Sequence, residues 1–395
     1  MLFQALDDKK HCVGVYCEGK MFYEDLPEDI SQTWAYSEFL KDLEIEYASL
    51  YTEGKNISEL VPEELEQDWH KISSRMKAFI RAFNTSKINL NDVCLFQVVP
   101  EAFLYEWCEI KNKICAYIFE NYEKPMNYDF LLDLTKITER IKQQRLNIDT
   151  STLKQDLASY RSRAFFKKLN SLDPYIHYNV FGTVTGRLTT KSHSFPILTL
   201  DKKFRKVLKP NNNLFVELDY NAAELRTFIA LNGEEQPQED LHAWNVDNIF
   251  CGFGLDRESA KVRLFAWLYN PNSDDELLNR RYDRQKLLKE NWKDGKITTK
   301  FGRTIEVDER RALNYIIQST SSDLFLRQMI KVDKMLEGKK SFIAFSVHDS
   351  LVMDFAEEDI HLLEPIIEEF SNTPFGKYLT NVSMGKNYGN MRKVK

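Results

Sequence analysis

Apolar positions along this chain follow two spacings. Over much of the first half they recur every three or four residues, which predicts helices across 34–50, 62–84, 100–123, 127–146 and 151–170. The second of these opens with Pro62-Glu63-Glu64, a proline and two acids suited to a first helical turn. Elsewhere the apolar residues alternate or run together. Residues 11–23 predict a β-hairpin turning at Glu18-Gly19-Lys20. Leu214, Phe215, Val216 and Leu218 predict a buried strand, and Ala222 to Leu231 the helix after it. Further helices are predicted across 256–269 and 309–330, and Ser341 to Phe355 predicts two strands joined by a tight turn at His348-Asp349-Ser350. No internal repeat or low-complexity linker breaks the pattern.

Polar residues at set places on these elements suggest chemistry. Asp219 closes a buried strand, where a carboxylate is an exposed ligand on a rigid support. It equally fits the cap of the following helix. Asp349 lies in the turn between the last two strands, where aspartate is also ordinary turn chemistry. Two such carboxylates, 130 residues apart in sequence, suit a pair of divalent metals about 4 Å apart.

Arg257, Lys261, Phe265 and Tyr269 recur every four residues on one helical face. Two cations followed by two aromatic rings suit a polyphosphate followed by a base; the same spacing fits an amphipathic helix with charged ends. Arg310, Asn314 and Gln318 share another face, with side chains suited to base edges and sugars or to plain solvation. Arg187 stands in a Thr/Gly-rich stretch that also reads as a simple β-turn. His242 opens a helix after the polar connector 233–240.

Composition narrows the class. Of 395 residues, 43% are hydrophobic and 29% charged, enough for two or three domains. The six cysteines show no metal-binding spacing, so free thiols in a reducing compartment are expected. No stretch has the length and apolarity of a membrane span or signal peptide, which points to the cytoplasm. The net charge of −6 hides an asymmetry. Residues 1–70 hold 17 acidic and 5 basic side chains, whereas 131–170 hold 9 basic and 4 acidic. Nucleic-acid binding needs such a local basic stripe rather than a basic whole, and a solvated helix face fits it too.

The order of motifs carries more than any one of them. Thr185-Gly186-Arg187 is followed by Asp219-Tyr220 with Glu224-Leu225-Arg226, then Asp240 with His242. Next come Arg257 with Lys261, Phe265 and Tyr269, then Arg310 with Asn314 and Gln318, and last His348-Asp349. The series closely resembles family A DNA polymerases, the class of bacterial DNA polymerase I, over roughly residues 180–390. The stretches 204–210, 299–303 and 385–388 resemble the family's flanking segments.

The resemblance implies an α/β (α+β) right-hand polymerase with an antiparallel palm sheet, helical fingers and a helical thumb. Residues 1–99 would be a small acidic accessory domain, 100–180 the thumb, 181–232 the first part of the palm, 233–308 trimmed fingers, and 309–395 the rest of the palm. The implied activity is template-directed addition of dNTPs to a primer 3′-hydroxyl. Two Mg2+, with Mn2+ as a substitute, would be held by Asp219, Asp349 and the carbonyl of Tyr220. Arg257, Lys261 and His242 would hold the triphosphate, with Lys261 also counted as catalytic. Phe265 would stack near base and sugar, and Tyr269 would lie by the nascent pair. Glu224 would exclude ribose. Arg187, Arg310, Asn314, Gln318 and His348 would contact the primer–template.

No proofreading is expected, because Asp42-Leu43-Glu44 lacks the family's exonuclease context. A separate exonuclease, helicase or processivity factor would be further partners. The small size is typical of bacteriophage enzymes, which would place the protein in a host cytoplasm. Three departures from the family stand out: Asn221-Ala222 in place of Ser-Gln, Asn270 in place of Gly after Tyr269, and Ser350 in place of Glu after His348-Asp349. They keep open a degenerate polymerase fold acting as a DNA-binding scaffold. A single-subunit RNA polymerase is the other alternative, and Glu224 argues against it.

Overall fold

A computed structural model describes all residues except 7–12, 24, 91–92, 152, 154–158, 170–171 and 395. It divides into two compact units, Met1–Gln143 and Gln144–Lys395. The division falls inside the stretch 100–180.

The first unit opens with three short antiparallel strands, β1 (Phe3–Ala5), β2 (Val15–Cys17) and β3 (Lys20–Phe22). The β2–β3 turn is made by Glu18 and Gly19, both at positive φ, 47° and 77°. That conformation matches the right-handed twist of a two-residue hairpin. Part of the predicted hairpin, residues 11–12, lies outside the described residues. Three long helices follow: α1 (Glu66–Thr85), α2 (Glu101–Asn121) and α3 (Tyr128–Gln143). Trp69 of α1 and Trp107 of α2 stack with ring centroids 5.1 Å apart. They sit in a core that includes Ile72, Phe103, Leu104, Ile114 and Ile118.

The helix expected across 34–50 is absent. A single 3-10 turn at Glu38–Leu40, a two-residue strand at Glu46–Tyr47 and one helical turn at Ala48–Tyr51 stand there instead. The Glu46–Tyr47 strand pairs in parallel with Gln32–Thr33, and the Tyr47 amide donates to the Tyr128 hydroxyl at 2.9 Å. Pairing and aromatic anchoring to partners distant in sequence thus override the local spacing. Cys17, Cys108, Cys115 and Cys251 are free thiols, as expected. Cys94 is disulfide-bonded, against the expectation, and Cys12 lies outside the described residues.

The second unit is built on a five-stranded antiparallel sheet. Its central strand is β4 (Leu214–Tyr220), followed by α4 (Ala223–Leu231), α5 (Leu241–Asn248), α6 (Arg257–Tyr269) and the long α7 (Glu309–Met335). Then come β5 (Phe342–Val347), β6 (Ser350–Phe355), α8 (Leu363–Ser371), β7 (Thr380–Gly385) and β8 (Arg392–Lys393). The strand order is β5-β6-β4-β7-β8. Val216 and Leu218 point into the core and are fully buried. Glu217 and Asp219 alternate onto the other face and are half-buried.

Helix α6 shows why its sequence reads two ways. Ala260, Leu264, Trp267 and Leu268 form the buried stripe and pack with Phe228, Leu241 and Ile316. Arg257, Lys261 and Phe265 form a different stripe, turned towards a cleft. Asp256 caps the helix by accepting from the Ser259 amide at 2.8 Å. Among the described residues, no helix is long and apolar enough to cross a membrane.

Candidate active site

Asp219 stands near the end of β4 and Asp349 in the β5–β6 turn, and each has a positive-φ residue close by in sequence. At the end of β4 the Tyr220 ring stacks on Phe370 at 4.4 Å, and its hydroxyl donates to the Phe370 carbonyl at 2.6 Å. This fixes the strand end beside Asp219. The chain then turns through Ala222, in the left-handed region at φ 52° and ψ 48°. A residue with a Cβ costs about 1–2 kcal/mol there. The buried Arg226 guanidinium ties the turn down by donating to the Asn221, Pro237 and Glu239 carbonyls, each at 2.8 Å. Burial pushes its pKa down to about 10. The helix cap is Ala222, not Asp219, so the Asp219 carboxylate is free of that duty. The second turn, between β5 and β6, holds His348 at φ 56° and then Asp349.

Both turns open onto one cleft of about 540 Å3. Its lining includes Arg187, Asp219, Tyr220, Glu224, His242, Arg257, Lys261, Phe265, His348 and Asp349. Tyr269, Arg310 and Asn314 line a second, smaller cavity of about 50 Å3. Gln318 lines neither and is half-buried on α7. The α7 face expected from the sequence therefore meets the cavities only at its first two members.

The cleft is crowded with charge. Burial pushes the Asp219 pKa up to about 6; Glu217 and Asp349 add to this, while Asn381 and Lys393 oppose it. Burial also raises Asp349, against the pull of Arg187. His242 goes the other way: burial first, then Arg257 and Lys261, bring it down to about 4. It is therefore a neutral imidazole at pH 7. Its Nδ1 is buried without a hydrogen-bond partner, as is Arg187 Nε. Such unmet polar atoms lining a cleft point to a ligand.

Arg187 is placed by the loop before it. Gly186 has φ 79°, and a Cβ there would come within 2.5 Å of Arg303 Nη2. Arg303 is itself locked to the buried Asp323 by two bonds, at 3.0 and 2.6 Å. From this base Arg187 Nη2 reaches Glu224 Oε1 at 2.5 Å and lies 3.8 Å from Asp349 Oδ2. The other Glu224 oxygen accepts from the Tyr269 hydroxyl. Tyr269 in turn stacks parallel to Phe265, and Phe265 leans on His242 at 5.7 Å. Glu224 is thus held from two sides at the floor of the cleft.

The departure at Asn221 also has a structural counterpart. Asn221 Nδ2 donates to Asp240 Oδ2 at 2.7 Å. Asp240 also accepts from Arg257 Nε and Nη2, at 3.1 and 2.8 Å, and caps α5. Although partly buried, Asp240 is held well below the usual carboxylate range by these bonds. Arg257 is therefore engaged. Lys261 lines the same cleft and forms no ion pair among the described residues.

The donor set fits a hard divalent cation. Two carboxylates and a backbone carbonyl, all oxygen, suit Mg2+, which keeps several waters and takes substrate phosphates as its other ligands. Among the described residues, no three His, Cys, Asp or Glu side chains are grouped as a metal cage by themselves.

The raised Asp219 pKa yields a pH prediction. Its protonated form is favoured in the folded state, so it contributes stability below about pH 4 that is lost as pH rises through about 6. Asp219→Asn should therefore stabilise the metal-free protein at pH 7.5 by about 1–3 kcal/mol. The gain should vanish near pH 4. Thermal unfolding at both pH values, without metal, checks this; an equal or lower Tm for the variant at pH 7.5 contradicts it.

Sequence reading missed Asn381, Asp240 as the partner of Arg257, and Glu217. Asn381 lies opposite Asp219 in β7 and donates to it at 3.4 Å. That contact depends on a strand register with no local signal. Glu217 was readable, since it stands two residues before Asp219 and so shares its face.

Residues 273–390 match the family model described as DNA polymerase family A. The chain is 26% identical over 248 residues to the thermostable DNA polymerase I of Thermus aquaticus, covering 49% of this chain and 29% of that protein. It is 24% identical over 274 residues to DNA polymerase I of Chloroflexus aurantiacus, covering 54% and 29%. It thus spans less than a third of the length of these relatives. Its fold matches the polymerase domain of Pol1 from M. smegmatis, solved in complex with DNA primer–template and dNTP. The TM-score is 0.63 at 14% identity, over 98% of this chain and 95% of that one. The architecture is accordingly the right-hand polymerase fold, and the family match itself extends over residues 273–390.

Proposed function

We propose that this chain is a template-directed DNA polymerase that adds dNTPs to a primer 3′-hydroxyl. One observation carries it: a single cleft gathers Asp219 and Asp349 from two strand ends with Arg257, Lys261, Phe265 and His242. The named activities of its relatives and the primer–template and dNTP in the M. smegmatis complex support the same reading.

Asp219, Asp349 and the Tyr220 carbonyl would hold two Mg2+ ions. When bound, the metal pair lowers the pKa of the attacking hydroxyl and neutralises the leaving pyrophosphate. Lys261 and Arg257 bind the triphosphate oxygens; Arg257 does so by exchanging the Asp240 carboxylate for phosphate. Neutral His242 donates a hydrogen bond rather than a charge. Phe265 packs against the sugar and base, and Tyr269 lies beside the new pair. Arg187, His348, Arg310, Asn314 and Gln318 line the path of primer and template.

Glu224, braced by Arg187 and Tyr269, excludes a ribose 2′-hydroxyl. Glu224→Ala should raise ribonucleotide incorporation at least tenfold relative to dNTPs. Unchanged selectivity in competition assays would remove Glu224 from this role.

In the same proposal the chain has no proofreading of its own. Asp42 and Glu44 are exposed and lie on no strand. A labelled primer should stay intact without dNTPs, and shortening that survives Asp219→Ala would reveal an exonuclease. Template direction is tested by offering one dNTP at a time against each of the four templating bases. Only the complementary dNTP should be added; equal use of all four overturns the proposal.

A further inference from the structure

The palm face that carries Asp219 and Asp349 also carries a third acid. Glu217 precedes Asp219 by two residues on β4, so both side chains leave the same face of the sheet. Opposite them on β6, Asp219 pairs with Ser350 and Glu217 pairs with Val352. Ser350 and Glu217 are thus diagonal neighbours, within reach of a long side chain. The contact is made: Ser350 Oγ donates to Glu217 Oε1 at 2.8 Å. Ser350 is the residue directly after Asp349 and is buried. The hydroxyl therefore draws the Glu217 carboxylate across the strand towards the Asp349 turn. Position 350 is also where this chain departs from a His-Asp-Glu pattern. The carboxylate missing from β6 stands one strand over, on β4.

We propose that Glu217, aimed by Ser350, is the outer carboxylate of the divalent-cation site formed by Asp219 and Asp349. It is a positioning residue. A hydrated divalent ion keeps several waters, and a nearby carboxylate accepts hydrogen bonds from them and adds negative charge without entering the first coordination layer. Ser350 holds the side chain in the extended reach this requires. The proposal rests on the polymerase reading of the cleft and adds a residue to it.

Glu217→Gln separates charge from shape, because the amide oxygen still accepts from Ser350. Mn2+ binding is read by electron paramagnetic resonance, with primer–template ended by a dideoxynucleotide and the next correct dNTP present, so that no turnover occurs. Glu217→Gln should raise the Mn2+ Kd roughly tenfold, the lower end expected for an outer-layer partner. Primer–template affinity and Tm should stay as in the wild type. Moving the charge back, in Glu217→Gln with Ser350→Glu, should restore the Kd to within about threefold of wild type. A merely structural hydrogen bond would predict the opposite: no change in Glu217→Gln and no rescue. Wild-type Mn2+ affinity in Glu217→Gln, with affinity lost in Asp219→Ala, overturns the role of Glu217 alone. Wild-type affinity and extension in Asp219→Ala overturn the cleft reading together with it.

Discussion

Asp219→Ala and Asp349→Ala should each lower primer extension by about 10^3-fold or more, with primer–template affinity changed by no more than a few-fold. The expectation follows from where the two carboxylates stand. Each adjoins a turn with a positive-φ residue, Ala222 after Asp219 and His348 before Asp349. Each has its pKa raised, chiefly by burial. Buried like charges in one cleft are costly without a cation, and that cost is the usual mark of a functional site. A metal pair supplies several kcal/mol of transition-state stabilisation, and each 1.36 kcal/mol is a factor of ten in rate. Single-turnover extension beside fluorescence anisotropy separates the two quantities. Extension in either variant within tenfold of wild type would move the chemistry elsewhere.

Lys261→Ala should lower kcat/KM for the incoming dNTP by roughly 10^2–10^3-fold, the usual effect of removing one preorganised charge donor from a closed site. Lys261 is singled out over Arg257 because Arg257 is already paired with Asp240 and Glu258, whereas Lys261 forms no ion pair among the described residues. Arg257→Ala should therefore cost less than Lys261→Ala in the same assay. Equal losses would contradict a cost for breaking the Arg257–Asp240 pair when nucleotide binds.

Much of this site was legible in the sequence because it rests on local patterns. The stripe of Arg257, Lys261 and Phe265 follows from helical spacing, and the capping Asp256 from the residue before it. Asp219 at a strand end and Asp349 in a hairpin turn follow from apolar runs. What stayed hidden depends on register and on contacts across sequence. Asn381 meets Asp219, and Ser350 meets Glu217, only because β4 pairs with both β7 and β6. Arg303 supports Arg187 through Gly186 and Asp323, which come from widely separated segments. Residues 34–50 misled because their apolar residues serve strand pairing and aromatic contacts rather than one helical face. Gln318 kept its spacing on α7, yet lies beyond both cavities.

The three departures from the family motifs sort differently. Asn221 gains a specific role by bridging Asp240 and the turn before α4. Ser350 gains one through Glu217. Asn270 ends α6 and accepts from the Asn272 amide through its side-chain oxygen at 3.1 Å, which shapes the turn after the helix.

The measurement that bears most directly on the central claim is extension of a 5′-labelled primer by the wild-type chain with Mg2+ and four dNTPs, run beside binding of the same primer–template. Binding together with extension to the template end, abolished by chelating the metal, is the predicted result. Tight binding with no extension, in Mg2+ or in Mn2+, would contradict it and leave a polymerase fold that serves only to hold DNA.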